Sequence, residues 1–145
     1  MYSFSSVKKI IYILLFTFAL AACICKIVIG IEMDEEICVL EGIRAAAGGR
    51  LFKDLWEIEQ TGLLFPAVFV YPYQFLKGSC DGIVIYLRIV TTIIQGIIAY
   101  CIYRCLRKKG HSLEMSAVIA FIWFLYLPRW IQTFEYNLQL DWFIT

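Results

Sequence analysis

The chain has 145 residues, 61% of them hydrophobic and 17% charged, with a formal net charge of +1. Ordinary soluble domains run at about 45–50% apolar and about 25% charged, so this composition excludes a disordered tail and speaks against a soluble globular enzyme. The near-neutral balance offers no basic face for nucleic acid, and six cysteines in this length fall short of a disulfide scaffold.

Residues 10–31 form the first apolar run, long enough to cross a bilayer core, which takes about 20 helical residues. Lys26 is its only charge and lies near the far end, where its stem lets the ammonium reach the surface. Leu20-Ala21-Ala22-Cys23 after a basic start also reads as a lipoprotein signal. The run stays apolar through Ile24, Ile27, Val28, Ile29 and Ile31, however, which favours an uncut span over cleavage before Cys23.

Residues 32–82 make a loop with structure of its own. Glu32, Asp34, Glu35 and Glu36 cluster at its start. The spacing of Ile37, Leu40, Ile43 and Ala47 predicts a surface helix over about 34–47, with Glu41 and Arg44 off the apolar face and Gly48-Gly49 stopping it. Such a helix lies along the interface. A second polar patch follows, with Arg50, Lys53, Asp54, Glu57, Glu59 and Gln60. Residues 63–76 are apolar again but short and interrupted by Pro66 and Pro72, which predicts a broken interfacial or partly re-entrant helix.

Residues 83–103 form the second span, with Arg88 as its only charge. An intramembrane arginine costs about 2.5–3.5 kcal/mol on insertion scales and so has a partner or a task; a lipid phosphate and the outer interface are the two candidates here. A turn at 104–112 carries Arg104, Arg107, Lys108 and Lys109, and 113–131 is the third span, with Glu114 and Arg129 near its ends. An outer turn and a truncated fourth span fill 132–145. Lys8 and Lys9 before the first span and the basic cluster after the second place the N-terminus in the cytoplasm and the 32–82 loop outside. The expected fold class is all-α: a single polytopic membrane unit of three transmembrane helices plus the start of a fourth, with two interfacial helices in the first outer loop.

Cys23 and Cys25 lie in the first span and Cys101 and Cys105 near the inner end of the second, whereas Cys38 and Cys80 both lie outside and are free to pair in an oxidising compartment. His111 is the only histidine and sits in the basic turn. Neither a Ser-His-Asp triad nor a Gly-rich phosphate loop can be assembled, so nucleotide chemistry on the cytoplasmic side has no basis.

Several features recur in a fixed order. Asp34-Glu35 follows the first span, and Gly48-Gly49-Arg50-Leu51-Phe52-Lys53-Asp54-Leu55-Trp56-Glu57 comes next. Arg88 stands at the head of the second span, Leu127-Pro128 ends the third, and Asp141 falls at the outer end of the fourth. In that order they resemble the N-terminal part of a C-type integral-membrane glycosyltransferase, similar to the protein O-mannosyltransferases and lipid A aminoarabinose transferases that use polyprenyl-phosphate sugars. Glu59-Gln60-Thr61-Gly62-Leu63 departs from the pattern, since many relatives carry a proline there. Family members are also much longer, so the resemblance implies an N-terminal fragment that is inactive alone.

The resemblance implies transfer of a sugar from a polyprenyl-phosphate donor to an acceptor hydroxyl at the outer face of a bacterial plasma membrane. Asp34 is then the general base that takes the acceptor's proton. Glu35 orients or binds beside it, and Asp141 converges from the fourth span to position the acceptor. Arg88, Lys53, Glu57 and Glu59 are candidates for the donor phosphate or for substrate, with Glu57 or Glu59 open to a divalent metal. Membrane lipids are the other expected partners, and no nucleic acid. The residues on their own leave other readings open: Asp34 as a helix cap, Glu57 and Glu59 as solvated loop charges, and the whole chain as a non-catalytic membrane scaffold or subunit.

Overall fold

The longest apolar runs of the sequence become its longest helices. The computed structural model describes residues 4–29, 33–56, 62, 64–126, 139 and 144, with the side chains of 4–6, 8, 33 and 34 outside that description. Among the described residues five helices follow one another: α1 Phe4–Val28, α2 Met33–Ala46, α3 Leu64–Lys77, α4 Ile83–Lys108 and α5 Leu113–Leu125. Among the described residues there is no strand, only an isolated bridge between Leu51 and Leu55.

Among the described residues two stretches are long and apolar enough to cross a membrane, Lys9–Val28 with a mean hydropathy of 2.4 and Ile83–Lys108 with 1.8. Both match sequence-based spans, although α4 runs on through Arg104 to Lys108, where a turn was expected. The apolar side chains of α1 point away from the protein; Phe18 is 76% exposed, and Ile13, Leu14 and Phe16 stand out beside it. Surfaces of this kind fit membrane association. α5 is apolar too, but its described part ends at Leu125. The rest of the expected third span, with Leu127-Pro128 and Arg129, and all but two residues of the expected fourth lie outside the described residues.

α4 is the hub, packing against α1, α3 and α5, while α2 pairs with α3. Its outward ridge is Ile85, Ile89, Ile93 and Ile97, all exposed, and its inward stripe holds Leu87, Arg88, Thr91, Gln95 and Ala99. Polar residues turned in and isoleucine turned out reverse the pattern of a soluble helix. The inward stripe bonds to its neighbours: Gln95 Nε2 donates to the Tyr126 carbonyl at 2.6 Å, tying α4 to the end of α5. Ser112 caps the start of α5 by accepting from the Met115 amide.

The α2–α3 hairpin closes over Gly42, whose Cα faces Pro66 and Val70; a Cβ there would lie 3.2 Å from the Pro66 Cβ. Val39, Val70, Ile83 and Leu87 form the buried apolar cluster where α2, α3 and α4 meet. α3 is unbroken across Pro72, contrary to the interrupted helix expected from the sequence. Pro66 sits in the first turn, where a missing N–H costs nothing, and Pro72 is exposed, so its lost bond falls on one face of a helix braced by α2.

The 78–82 turn joins α3 to α4. The Tyr73 hydroxyl and the Lys77 ammonium both donate to the Asp81 carbonyl, and the Tyr73 ring packs on Tyr86 with centroids 4.7 Å apart. Gly82 starts α4 at φ +80°, which a side chain would strain. The possible Cys38–Cys80 disulfide is not formed. Cys38 is buried in α2, and Cys80 is exposed in this turn, where its sulfur accepts from Gln74 Nε2.

Candidate functional site

The outstanding polar feature lies where α1 ends, α2 begins and α4 passes. Arg88 is in the second turn of α4, and Glu35 is in the first turn of α2. The guanidinium donates from Nε to Glu35 Oε1 at 2.7 Å and from Nη2 to Oε2 at 2.6 Å, a two-pronged match of planar groups. Nη1 donates to the Ile27 carbonyl at 2.9 Å and the Ile29 carbonyl at 2.6 Å, with Lys26 at 3.4 Å.

Those carbonyls belong to the end of α1 and have no donor within their own helix, and they form the negative end of its dipole. One side chain therefore completes the end of α1, holds the start of α2 and anchors both to α4. The Arg88 and Glu35 side chains are only 5% and 3% exposed. At this depth neither charge is tolerable alone.

Arg88 therefore has a protein partner beyond the two destinations considered from the sequence. Glu35 and three backbone carbonyls receive the donors of its guanidinium. Glu35 is in turn occupied by Arg88. An apolar cleft of about 300 Å³ opens beside the pair, between the end of α1 and the start of α4, lined by Ile27, Ile29, Cys80, Ile83, Ile85 and Arg88.

The other candidates are spread out. Asp34 stands beside Glu35 in the first turn of α2, with its side chain outside the described residues, as are Glu57, Glu59 and Asp141 altogether. Lys53 is exposed in a turn that closes on itself: Asp54 Oδ2 accepts from both the amide and Nε of Arg50, and Trp56 Nε1 donates to the Lys53 carbonyl. Leu55 plugs this turn into the protein, and Phe52 adopts φ +61° at its tip. Nothing in the described residues brings the Lys53 ammonium to Glu35 or Arg88. Among the described residues no group of three His, Cys, Asp or Glu side chains is arranged to hold a metal ion.

Sequence reasoning missed several buried polar residues, Glu41, Thr91 and Gln95 among them. Glu41, expected off the apolar face of α2, is buried against protein, its Oε1 accepting from Arg44 Nη1 at 2.8 Å and its Oε2 meeting no donor. Thr91 and Gln95 continue the inward stripe below Arg88, and the Thr91 hydroxyl also has no partner. The side of α2 that meets protein was also not identified from the sequence. Glu35, Cys38, Val39 and Gly42 turn inward while Ile37 and Leu40 are exposed. The available signal was the row Cys38, Gly42, Ala46, small residues four apart that mark where another helix comes close.

Comparison with protein-family models, with curated proteins and with solved structures finds no match for this chain.

Proposed function

We propose that this chain belongs to a membrane glycosyltransferase that moves a sugar from a polyprenyl-phosphate donor to an acceptor hydroxyl at the outer face, with Asp34 as general base. The observation that supports the reading is the Glu35–Arg88 pair, which pins the first turn of α2 against the end of α1. Asp34 shares that turn, so its backbone is held where a membrane-crossing helix stops. A donor whose tail remains in lipid presents its sugar at that level, and a fixed carboxylate there suits proton removal from an attacking hydroxyl.

In this reading the acidic pair divides its work. Glu35 is a positioning residue that acts through Arg88, and Asp34 does the chemistry. Support for the leaving phosphate falls to exposed cations such as Lys53 rather than to Arg88. The proposed topology keeps the N-terminus in the cytoplasm, the 32–82 segment outside, a third span over 113–131 and the start of a fourth beyond it. A second reading, a non-catalytic scaffold or subunit, draws on the same pair, because a guanidinium fully engaged by protein serves architecture without any substrate.

The test uses membranes of cells that make the protein in its extended natural form, a photoreactive polyprenyl-phosphate sugar and a sugar-transfer assay. Measurable transfer by the unsubstituted protein is its baseline. The expected result is a crosslink to the start of α2 or to the 50–56 turn, with Asp34→Asn retaining the crosslink and losing transfer. Glu35→Gln loses both. Transfer that survives in Asp34→Asn, or a crosslink no stronger than that of a polyprenol lacking the phosphosugar, overturns the reading and leaves the scaffold.

A further inference from the structure

A groove runs along the opposite end of the bundle from Glu35. Its main part, about 370 Å³, lies between α1, α4 and α5. A second cleft of about 290 Å³ between α1 and α5 shares Phe16, Ala117 and Phe121 with it, so the two are continuous around α1. Small residues create the space: Gly96 and Ala99 on α4 oppose Ala117 and Ala120 on α5, with Phe16 and Tyr103 closing the sides. The combined slot is narrow, apolar and open along its length, which suits a flexible hydrocarbon chain better than a compact ligand.

The groove leads to positive charge. Tyr100 lines it, and Arg104 lies against that ring, its guanidinium carbon 5.9 Å from the centroid and Nη1 donating to the hydroxyl at 3.2 Å. Gly96, Tyr100, Arg104 and Lys108 are spaced four apart and share one ridge of α4, so the apolar floor passes directly into two exposed cations. Arg107 closes the following turn by donating to the His111 carbonyl. Because the end of α1 meets the start of α4 at Arg88, the start of α1 comes toward the end of α4, and Lys9 adds to the basic end. Glu114 borders the second cleft, which leaves the Arg104 side as the place for an anion.

We propose that this groove is a binding site for an anionic glycerophospholipid, one acyl chain lying between α1, α4 and α5 and the phosphate held by Arg104 and Lys108. Within a bilayer an apolar slot gains no water-driven affinity, because surrounding lipid is equally apolar. Shape retains the chain and charge selects the headgroup. Juxtamembrane arginines and lysines supply that selection, each contributing a severalfold preference for anionic lipid. The inference stands on the membrane-associated helices and the groove alone and is independent of the proposed transferase.

Native mass spectrometry of the detergent-solubilised full chain tests it, with phosphatidylglycerol and phosphatidylcholine of identical acyl chains added in competition. Preferential retention of phosphatidylglycerol is expected. Arg104→Gln with Lys108→Gln, both at exposed positions, should reduce that preference about tenfold or more. Ala117→Trp, which fills the groove from an exposed position, should remove retained lipid of both kinds while circular dichroism shows unchanged helicity; Ala117→Leu replaces it if the tryptophan variant loses helix. Equal retention of the two lipids, or a preference unaffected by the charge variant, overturns the proposal. So does a dimer mass in place of a lipid adduct, which would mean that a second copy fills the groove.

Discussion

Arg88 donates to both carboxylate oxygens of Glu35 across fifty-three residues of chain, at 2.7 and 2.6 Å. The same guanidinium holds the last carbonyls of α1, so the relation is one of architecture: three helix segments share a single cation. A buried pair of this kind recovers little more than its desolvation cost, but removing one partner leaves the other charged and stranded. Its main effect is to fix which helix ends meet.

Arg88→Ala or Glu35→Ala alone is expected to cost about 3–5 kcal/mol, measured by reversible denaturant unfolding in mixed micelles. Arg88→Met with Glu35→Leu should recover most of that loss. Arg88→Lys should not, because an ammonium cannot match two carboxylate oxygens and the α1 carbonyls at once. Strictly additive single and double variants would show that the two residues are not coupled.

Thr91→Val should stabilise. The Thr91 hydroxyl is buried without a partner, and a buried unsatisfied polar group costs about 1–3 kcal/mol. Valine keeps the shape and removes the penalty, so Tm should rise. Thr92→Val serves as the contrast, since the Thr92 hydroxyl donates to the Arg88 carbonyl at 2.7 Å and its loss gives no such gain. A fall in Tm for Thr91→Val would contradict the orphaned hydroxyl.

Gly42→Leu should destabilise by about 1–3 kcal/mol, because the α2–α3 contact leaves no room beside Pro66 and Val70. Thermal unfolding followed by circular dichroism reads the effect, and an unchanged melting curve would show that the hairpin does not close at Gly42.

Thiol labelling separates the two cysteines once considered for pairing. A maleimide should modify the exposed Cys80 within minutes and leave the buried Cys38 protected until unfolding, with identical electrophoretic mobility in the presence and absence of reductant. A mobility shift on reduction would demonstrate the disulfide that the structure lacks.

Much of the fold was legible along the chain. Hydropathy located α1 and α4, Gly48-Gly49 stopped α2 two residues past its observed end, and the apolar run at 63–76 is α3 displaced by one residue. These features are local: a run of apolar side chains, a residue that cannot continue a helix. What failed also has a local explanation. The Ile37–Leu40 spacing identified an apolar side of α2 correctly, but an apolar side beside a membrane need not be the one that meets protein, and the contact side belongs to Glu35, Cys38, Val39 and Gly42. Pro72 was given too much weight because a neighbouring helix can support a turn that proline weakens.

By itself the sequence determined the helical class, the two long apolar helices and the placement of a lone arginine six positions into the second, since each depends on neighbours a few residues away. Only the tertiary structure decided that Arg88 meets Glu35 and the end of α1, that Thr91 and Gln95 face inward, and that small residues on α4 and α5 leave a groove against α1. A charge within an apolar helix announces that it needs a partner. Which partner it finds depends on how segments distant in the chain pack, and that information is carried by no single stretch of residues.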